Sequence, residues 1–101
     1  MNFNKYDLFN MLVAKARNVI YYRSIDTRDR SASSYFHITR LLRSDAKNLT
    51  NLFTEENDRN SKEFSFLLDL IRSIDPKIKS EDCDEFINTT LKNLLTKYGY
   101  E

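Results

Sequence analysis

The chain of 101 residues contains a single glycine and a single proline. Proteins rich in β-structure need many tight turns, and glycine and proline form most of these turns. A chain with one of each is therefore expected to be all-α. We predict a compact bundle of about four antiparallel amphipathic helices. Residues 1–101 are expected to form one domain, because a chain of this length has room for one hydrophobic core.

The first half of the chain is predicted to form a helical hairpin. Asn4 and Asp7 have the spacing of a capping box, and the helix that they begin ends before a polar connector at 24–30. The second helix is expected to continue unbroken through Ser44 and Asp45. Its apolar residues recur at helical spacing and are assigned to one inward face. They are Tyr35, Ile38, Leu41, Leu42, Ala46, Leu49 and Phe53.

The second half is predicted to contain two further helices. Asn60 and Glu63 have the spacing of a capping box for the third helix, which ends before Pro76 because the residue before proline avoids the α-helical region. Ser80 is the expected N-cap of the fourth helix. Gly99 stands where a left-handed residue is expected to terminate that helix. The connectors are short, which favours antiparallel neighbours.

No residue pattern in the chain predicts catalysis or a cofactor. Cys83 is the only cysteine, so neither an intramolecular disulfide nor a cysteine zinc cluster can form within one chain. The acidic cluster at 81–85 lacks the alternating ligands and the central glycine of a calcium loop, and it is assigned to helix-start electrostatics. The acidic stretch at 55–58 is expected to be a solvated loop. One glycine near the end of the chain excludes a P-loop. We therefore predict a non-enzymatic protein with no metal or cofactor.

The only histidine, His37, follows Arg30 with six residues between them. This spacing resembles the Arg-x(4–6)-His element of HEPN ribonucleases, helical proteins in which motifs from two subunits together cleave RNA. The resemblance covers eight residues. It implies that His37 acts as general acid or base and that Arg30 stabilises phosphate charge. The alternative is a surface histidine beside basic residues, which we favour.

Charge is divided unevenly along the chain. Residues 1–50 hold nine basic and four acidic residues, hence +5, whereas 51–101 hold seven basic and eleven acidic residues, hence −4. Three interpretations follow. The basic half could pack against the acidic half, it could bind the acidic surface of a protein partner, or it could bind nucleic acid.

Arginine and tyrosine lie together near the end of the first helix and the start of the second, and both are enriched at protein interfaces. Tyr21 and Tyr22 point about 100° apart on a helix, so at least one is expected to be exposed. We predict a partner-binding region here. Its residues are Arg17, Tyr21, Tyr22, Arg23, Arg28, Arg30, Tyr35 and Arg40.

Size, charge and the lack of catalytic residues together favour a small adaptor, inhibitor or regulator, a class that includes phage- and plasmid-encoded proteins. Its expected partner is a protein with an acidic surface, with nucleic acid as the alternative. No run of about 18 apolar residues predicts a membrane span, and the single thiol favours a cytoplasmic location. The broad apolar stripe of the third helix makes a homodimer a further possibility.

Overall fold

A computed structural model describes residues 4–25 and 32–101, with side chains for 4–23 and 35–101. Within these ranges every regular element is helical, which confirms the all-α prediction. Three of the helices are long, a fourth is one turn, and the last contains a π-helical segment. The elements are α1 (Lys5–Ile25), α2 (Ala32–Thr50), α3 (Glu56–Arg59), α4 (Lys62–Ser73), α5 (Ser80–Glu85), the π-helical segment (Phe86–Leu91) and α6 (Lys92–Tyr98).

The helix α2 is the centre of the bundle. It packs against α1, α4 and α5, while α1 also contacts the π-helical segment and α4 contacts α6. The prediction that α2 continues through Ser44 and Asp45 is confirmed. Large side chains from every long helix meet in one core, so the described residues form a single packed unit. The largest fully buried side chains include Phe9, Leu42, Phe53, Phe66, Leu70, Ile87 and Leu91.

Two of the helix starts show how local the capping interactions are. The backbone N–H of Asp7 donates to Asn4 Oδ1 at 2.9 Å, and that of Asn4 donates to Asp7 Oδ2 at 3.3 Å, so the predicted capping box of α1 is confirmed. At α4 the prediction is wrong by one residue. Ser61, rather than Asn60, is the N-cap, and its hydroxyl accepts from the Phe64 N–H at 3.2 Å.

Gly99 ends the last helix as predicted, with a φ of 75°. Its N–H donates to the Thr96 carbonyl at 3.1 Å, and the Tyr100 N–H donates to the Leu95 carbonyl at 2.8 Å, which is the Schellman pattern. At the other end of this continuous helix, the N-cap of α5 is Lys79, and the predicted cap Ser80 is the first helical residue.

Gly99→Ala is expected to lower the free energy of unfolding by about 1 kcal/mol. The cause is the left-handed backbone, because among the described residues a Cβ built there would meet Lys62 Nζ alone, at an unstrained 3.8 Å. Gly99→Asn is the control, since asparagine tolerates the left-handed region and should lose less. Chemical denaturation of the three proteins measures the difference. Equal losses for Ala and Asn would contradict the backbone explanation.

The acidic stretch at 55–58 was predicted to be a solvated loop, and this prediction is wrong. Most of it lies in α3, and the Asp58 side chain is buried. Its carboxylate accepts from Lys5 Nζ and from the Tyr6 hydroxyl, the latter at 3.0 Å. Hydrogen bonding to the Lys5 ammonium lowers the pKa of Asp58, so this carboxylate stays charged. The pair ties the start of α1 to the acidic half of the chain.

Candidate interaction surface

Arg23, predicted as a partner-binding residue, is used inside the molecule. Its guanidinium forms a bidentate ion pair with Asp84 of α5, in which Nε donates to Oδ1 and Nη2 donates to Oδ2, the latter at 2.7 Å. It also lies 5.6 Å from the centre of the Tyr35 ring. The hydrogen bonds from Arg23 lower the pKa of Asp84. With the Lys5–Asp58 pair, this contact supports the interpretation that the basic half packs against the acidic half.

The remaining predicted residues are divided among different places. Tyr35 is buried, with 8% of its surface exposed, so it can add little area to a contact with a partner. Arg40 is exposed on the side of α2 that faces the end of α4, where it lines a pocket with Arg43 and Asp75. Arg28 and Arg30 lie outside the described residues. The members of the predicted set that the structure describes therefore do not form one surface.

Three of the predicted residues do share an exposed part of α1. Arg17 lies one helical turn before Tyr21, and both are exposed. Tyr21 is 59% and Tyr22 57% exposed, which confirms the expectation for these adjacent rings. The two ring centres are 5.6 Å apart and the rings meet edge to face. We call Arg17, Tyr21 and Tyr22 the tyrosine patch.

Beside the tyrosine patch, an open groove runs between α1 and α2, and an ion pair divides it. Lys15 Nζ lies 3.2 Å from Asp45 Oδ2 at its middle. One hollow, of about 340 Å³, lies on one side of this pair and another, of about 320 Å³, on the other. The first is lined by Leu8, Met11, Leu12, Asn48, Leu49 and Leu52, and the second by Asn18, Val19, Tyr22, Tyr35, Ile38 and Leu41, with Lys15 at the edge of both.

The groove has a regular sequence signal that the analysis of the sequence missed. Its outer residues alternate at spacings of three and four on both helices, as in a helix–helix seam. They are Leu8, Met11, Lys15, Asn18 and Tyr22 on α1, and Ile38, Leu41, Asp45, Asn48 and Leu52 on α2 and just after it. The prediction that Leu41 lies on the inward face of α2 is wrong, because 43% of its surface is exposed. Met11 is 57% and Leu52 46% exposed.

The side chains that could contribute to catalysis are divided between the surface, the core and the part of the chain that the structure does not describe. His37 is exposed on α2, and the other half of its motif, Arg30, lies outside the described residues. Cys83 is fully buried, and burial raises the pKa of its thiol, which opposes formation of a nucleophilic thiolate. Its Sγ donates to the Lys79 carbonyl at 3.4 Å. Among the described residues, no three His, Cys, Asp or Glu side chains are grouped so that they could hold a metal ion.

Comparison with known proteins gives no relative: no family model, curated protein or solved structure matches this chain. Over residues 4–25 and 32–101, no helix is long and apolar enough to cross a membrane. The functional argument therefore starts from the two exposed features of the helical hairpin, the tyrosine patch and the groove.

Proposed function

We propose that this protein is a non-enzymatic adaptor, inhibitor or regulator that binds the acidic surface of a protein partner through the tyrosine patch. The observation that carries the proposal is the exposure of two adjacent tyrosines on a helix, with an arginine one turn away. Tyrosine and arginine supply large contact areas with polar ends, and they dominate the energetics of many interfaces. A cytoplasmic setting belongs to the same proposal, since the only thiol is a free, buried cysteine.

The way α1 is held supports this role. Near its start, Lys5 pairs with Asp58 of α3, and near its end, Arg23 pairs with Asp84 of α5. Between these two anchors the inward side chains of α1 belong to the core. A surface fixed in this way loses little conformational freedom when a partner binds, so more of the contact energy is available as affinity. Arg23 thus fixes the end of α1, next to Tyr21 and Tyr22 in the sequence, through its ion pair with Asp84.

The test uses a double variant that leaves the groove intact. Arg17→Glu combined with Tyr21→Ala is expected to reduce recovery of the partner by about tenfold or more, as loss of a contact residue and reversal of a charge at an interface would. The measurement is affinity purification of the tagged full chain from cells of its own source, with nuclease present. Lys92→Glu, a charge reversal at an exposed position of α6, is the matched control.

The outcomes separate the proposals. A stoichiometric protein that survives nuclease, is lost with the double variant and is retained with Lys92→Glu supports the tyrosine patch. Equal recovery with all three proteins contradicts it. Nucleic acid without a protein partner would instead favour the second candidate, binding through Arg40, Arg43 and Lys47, which line one pocket beside α2. Such binding should weaken steeply as salt concentration rises.

A further inference from the structure

We infer that the groove between α1 and α2 binds a second copy of this chain. In the resulting two-fold dimer, α1 of each copy lies over α2 of the other. This surface adjoins the tyrosine patch and shares Tyr22 with it, but its occupant is a second copy of the chain rather than the proposed protein partner. The inference rests on three observations: the protruding apolar side chains, the charges between them, and the dimensions of the groove.

Each hollow has exposed apolar side chains at its edges, and its empty space can accommodate the apolar side chains of a second copy. Met11 and Leu52 protrude at the first hollow, one from each side, and Tyr22 and Leu41 do the same at the second. All four are between 43% and 57% exposed. Large apolar side chains gathered on one face of a small protein indicate an interaction surface. Facing hollows in two copies would bury eight such side chains.

The charged pair at the middle of the groove is complementary to the same pair in a second copy of the chain. The ion pair and the linings show that α1 and α2 run antiparallel, with Leu8 level with Leu52 and Tyr22 level with Ile38. A two-fold axis parallel to the helices leaves each residue at the same height along the groove and places α1 of one copy over α2 of the other. It therefore places Lys15 of one copy against Asp45 of the other, twice. A two-fold axis perpendicular to the helices would instead stack α1 on α1 and bring the like charges together, which is unfavourable.

The size and balance of the groove fit a second copy better than a single helix. From Leu8 to Tyr22 the seam covers fourteen residue steps, or about 21 Å of helix. Because α1 and α2 together form the groove, the matching pair of helices from a second copy covers its full width. The groove also contains one positive and one negative side chain at the same level. A second copy supplies the opposite charge to both of them, and both apolar ends are matched by apolar ends.

The first experiment is sedimentation velocity of the full chain over a concentration series that reaches about 1 mM, where even weak interfaces are populated. The wild-type chain is expected to show a monomer–dimer equilibrium. Leu41→Glu places a charge in the second hollow and is expected to raise the dimer dissociation constant by about 30-fold or more. Met11→Glu tests the first hollow in the same way. Lys92→Glu, on α6, should dimerise as the wild type does.

Charge reversal gives a test that loss of folding cannot imitate. Lys15→Glu makes the middle of the groove wholly negative, and Asp45→Lys makes it wholly positive, so each variant alone is expected to be monomeric. An equal mixture of the two is expected to form a heterodimer. Circular dichroism of each variant checks that it is folded before mixing.

A wild-type chain that stays monomeric throughout the series overturns the inference. So does a dimer that is unaffected by both Leu41→Glu and Met11→Glu, or a mixture of folded charge variants that fails to associate. The Arg17→Glu, Tyr21→Ala variant should dimerise normally, because neither residue lines the groove. The proposed partner and the proposed dimer can therefore fail independently.

Discussion

Phe66→Ala is expected to lower the free energy of unfolding by about 4 kcal/mol. The Phe66 side chain is fully buried, and its ring meets those of Phe9, Tyr98 and Tyr100 edge to face at 5.6, 5.4 and 5.1 Å. Removing it leaves a cavity between α1, α4 and the end of the chain and also removes three favourable ring contacts. A domain of this size is stable by only about 5–15 kcal/mol, so the loss is a large share of the total.

Urea denaturation measures this loss, with Phe64→Ala as the matched control. Phe64 is on the same helix but only half-buried, and its ring contact with Phe53 is a longer one, at 6.0 Å. The control is expected to lose clearly less than Phe66→Ala, since part of its area is already exposed to water. Equal losses would contradict the attribution of the larger effect to the full burial of Phe66 and its three ring contacts.

The features that the sequence predicted correctly are those decided by neighbours along the chain. The Asn4–Asp7 capping box spans three residues, and the hydrogen bonds around Gly99 span at most five. Residue type and spacing determine such contacts to within about one residue, since the N-caps of α4 and α5 each lie one position from the predicted cap. The same reasoning found that the adjacent rings of Tyr21 and Tyr22 cannot both be buried, because the helix fixes the angle between them.

The features that the sequence analysis missed depend on which helices meet. Asp58 is an ordinary solvated acid by its local sequence, and only its contact with Lys5, 53 residues earlier, makes it a buried partner. Leu41 has the spacing of a core residue, yet no described helix covers its side of α2. Periodicity shows that side chains share a face of a helix, but packing decides whether that face is inside. The groove was missed for this reason.

The π-helical segment is another feature that follows from packing. Cys83, Ile87, Leu91 and Leu95 recur every four residues, and all four are buried. On a regular α-helix each step of four residues turns about 40° beyond a full circle, so Leu95 would point about 120° away from Cys83. The wider turn of a π-helix absorbs this drift, because its hydrogen bonds reach five residues rather than four. One surplus residue therefore lies between Ile87 and Leu91.

Deleting Thr89 is accordingly expected to leave the protein folded, whereas deleting Ser44 is expected to prevent folding. Thr89 is exposed within the π-helical segment, and its removal changes the spacing from Ile87 to Leu91 to three residues. The inward stripe then recurs at four, three and four, which a regular α-helix keeps on one side. The free energy of unfolding should stay within about 1 kcal/mol of the wild type, as for a surface change.

Ser44 is the matched control because it is also an exposed hydroxyl residue inside a helix. The helix α2 has no surplus residue around it, so its removal turns every following side chain by about 100°. Ala46 and Leu49 would leave the core, and the central helix of the bundle would lose two of the five buried side chains that the structure describes on it. Thermal melts followed by circular dichroism compare the two deletions. Unfolding caused by the loss of Thr89 as severe as that caused by the loss of Ser44 would show that the π-helical segment is not a surplus-residue insertion.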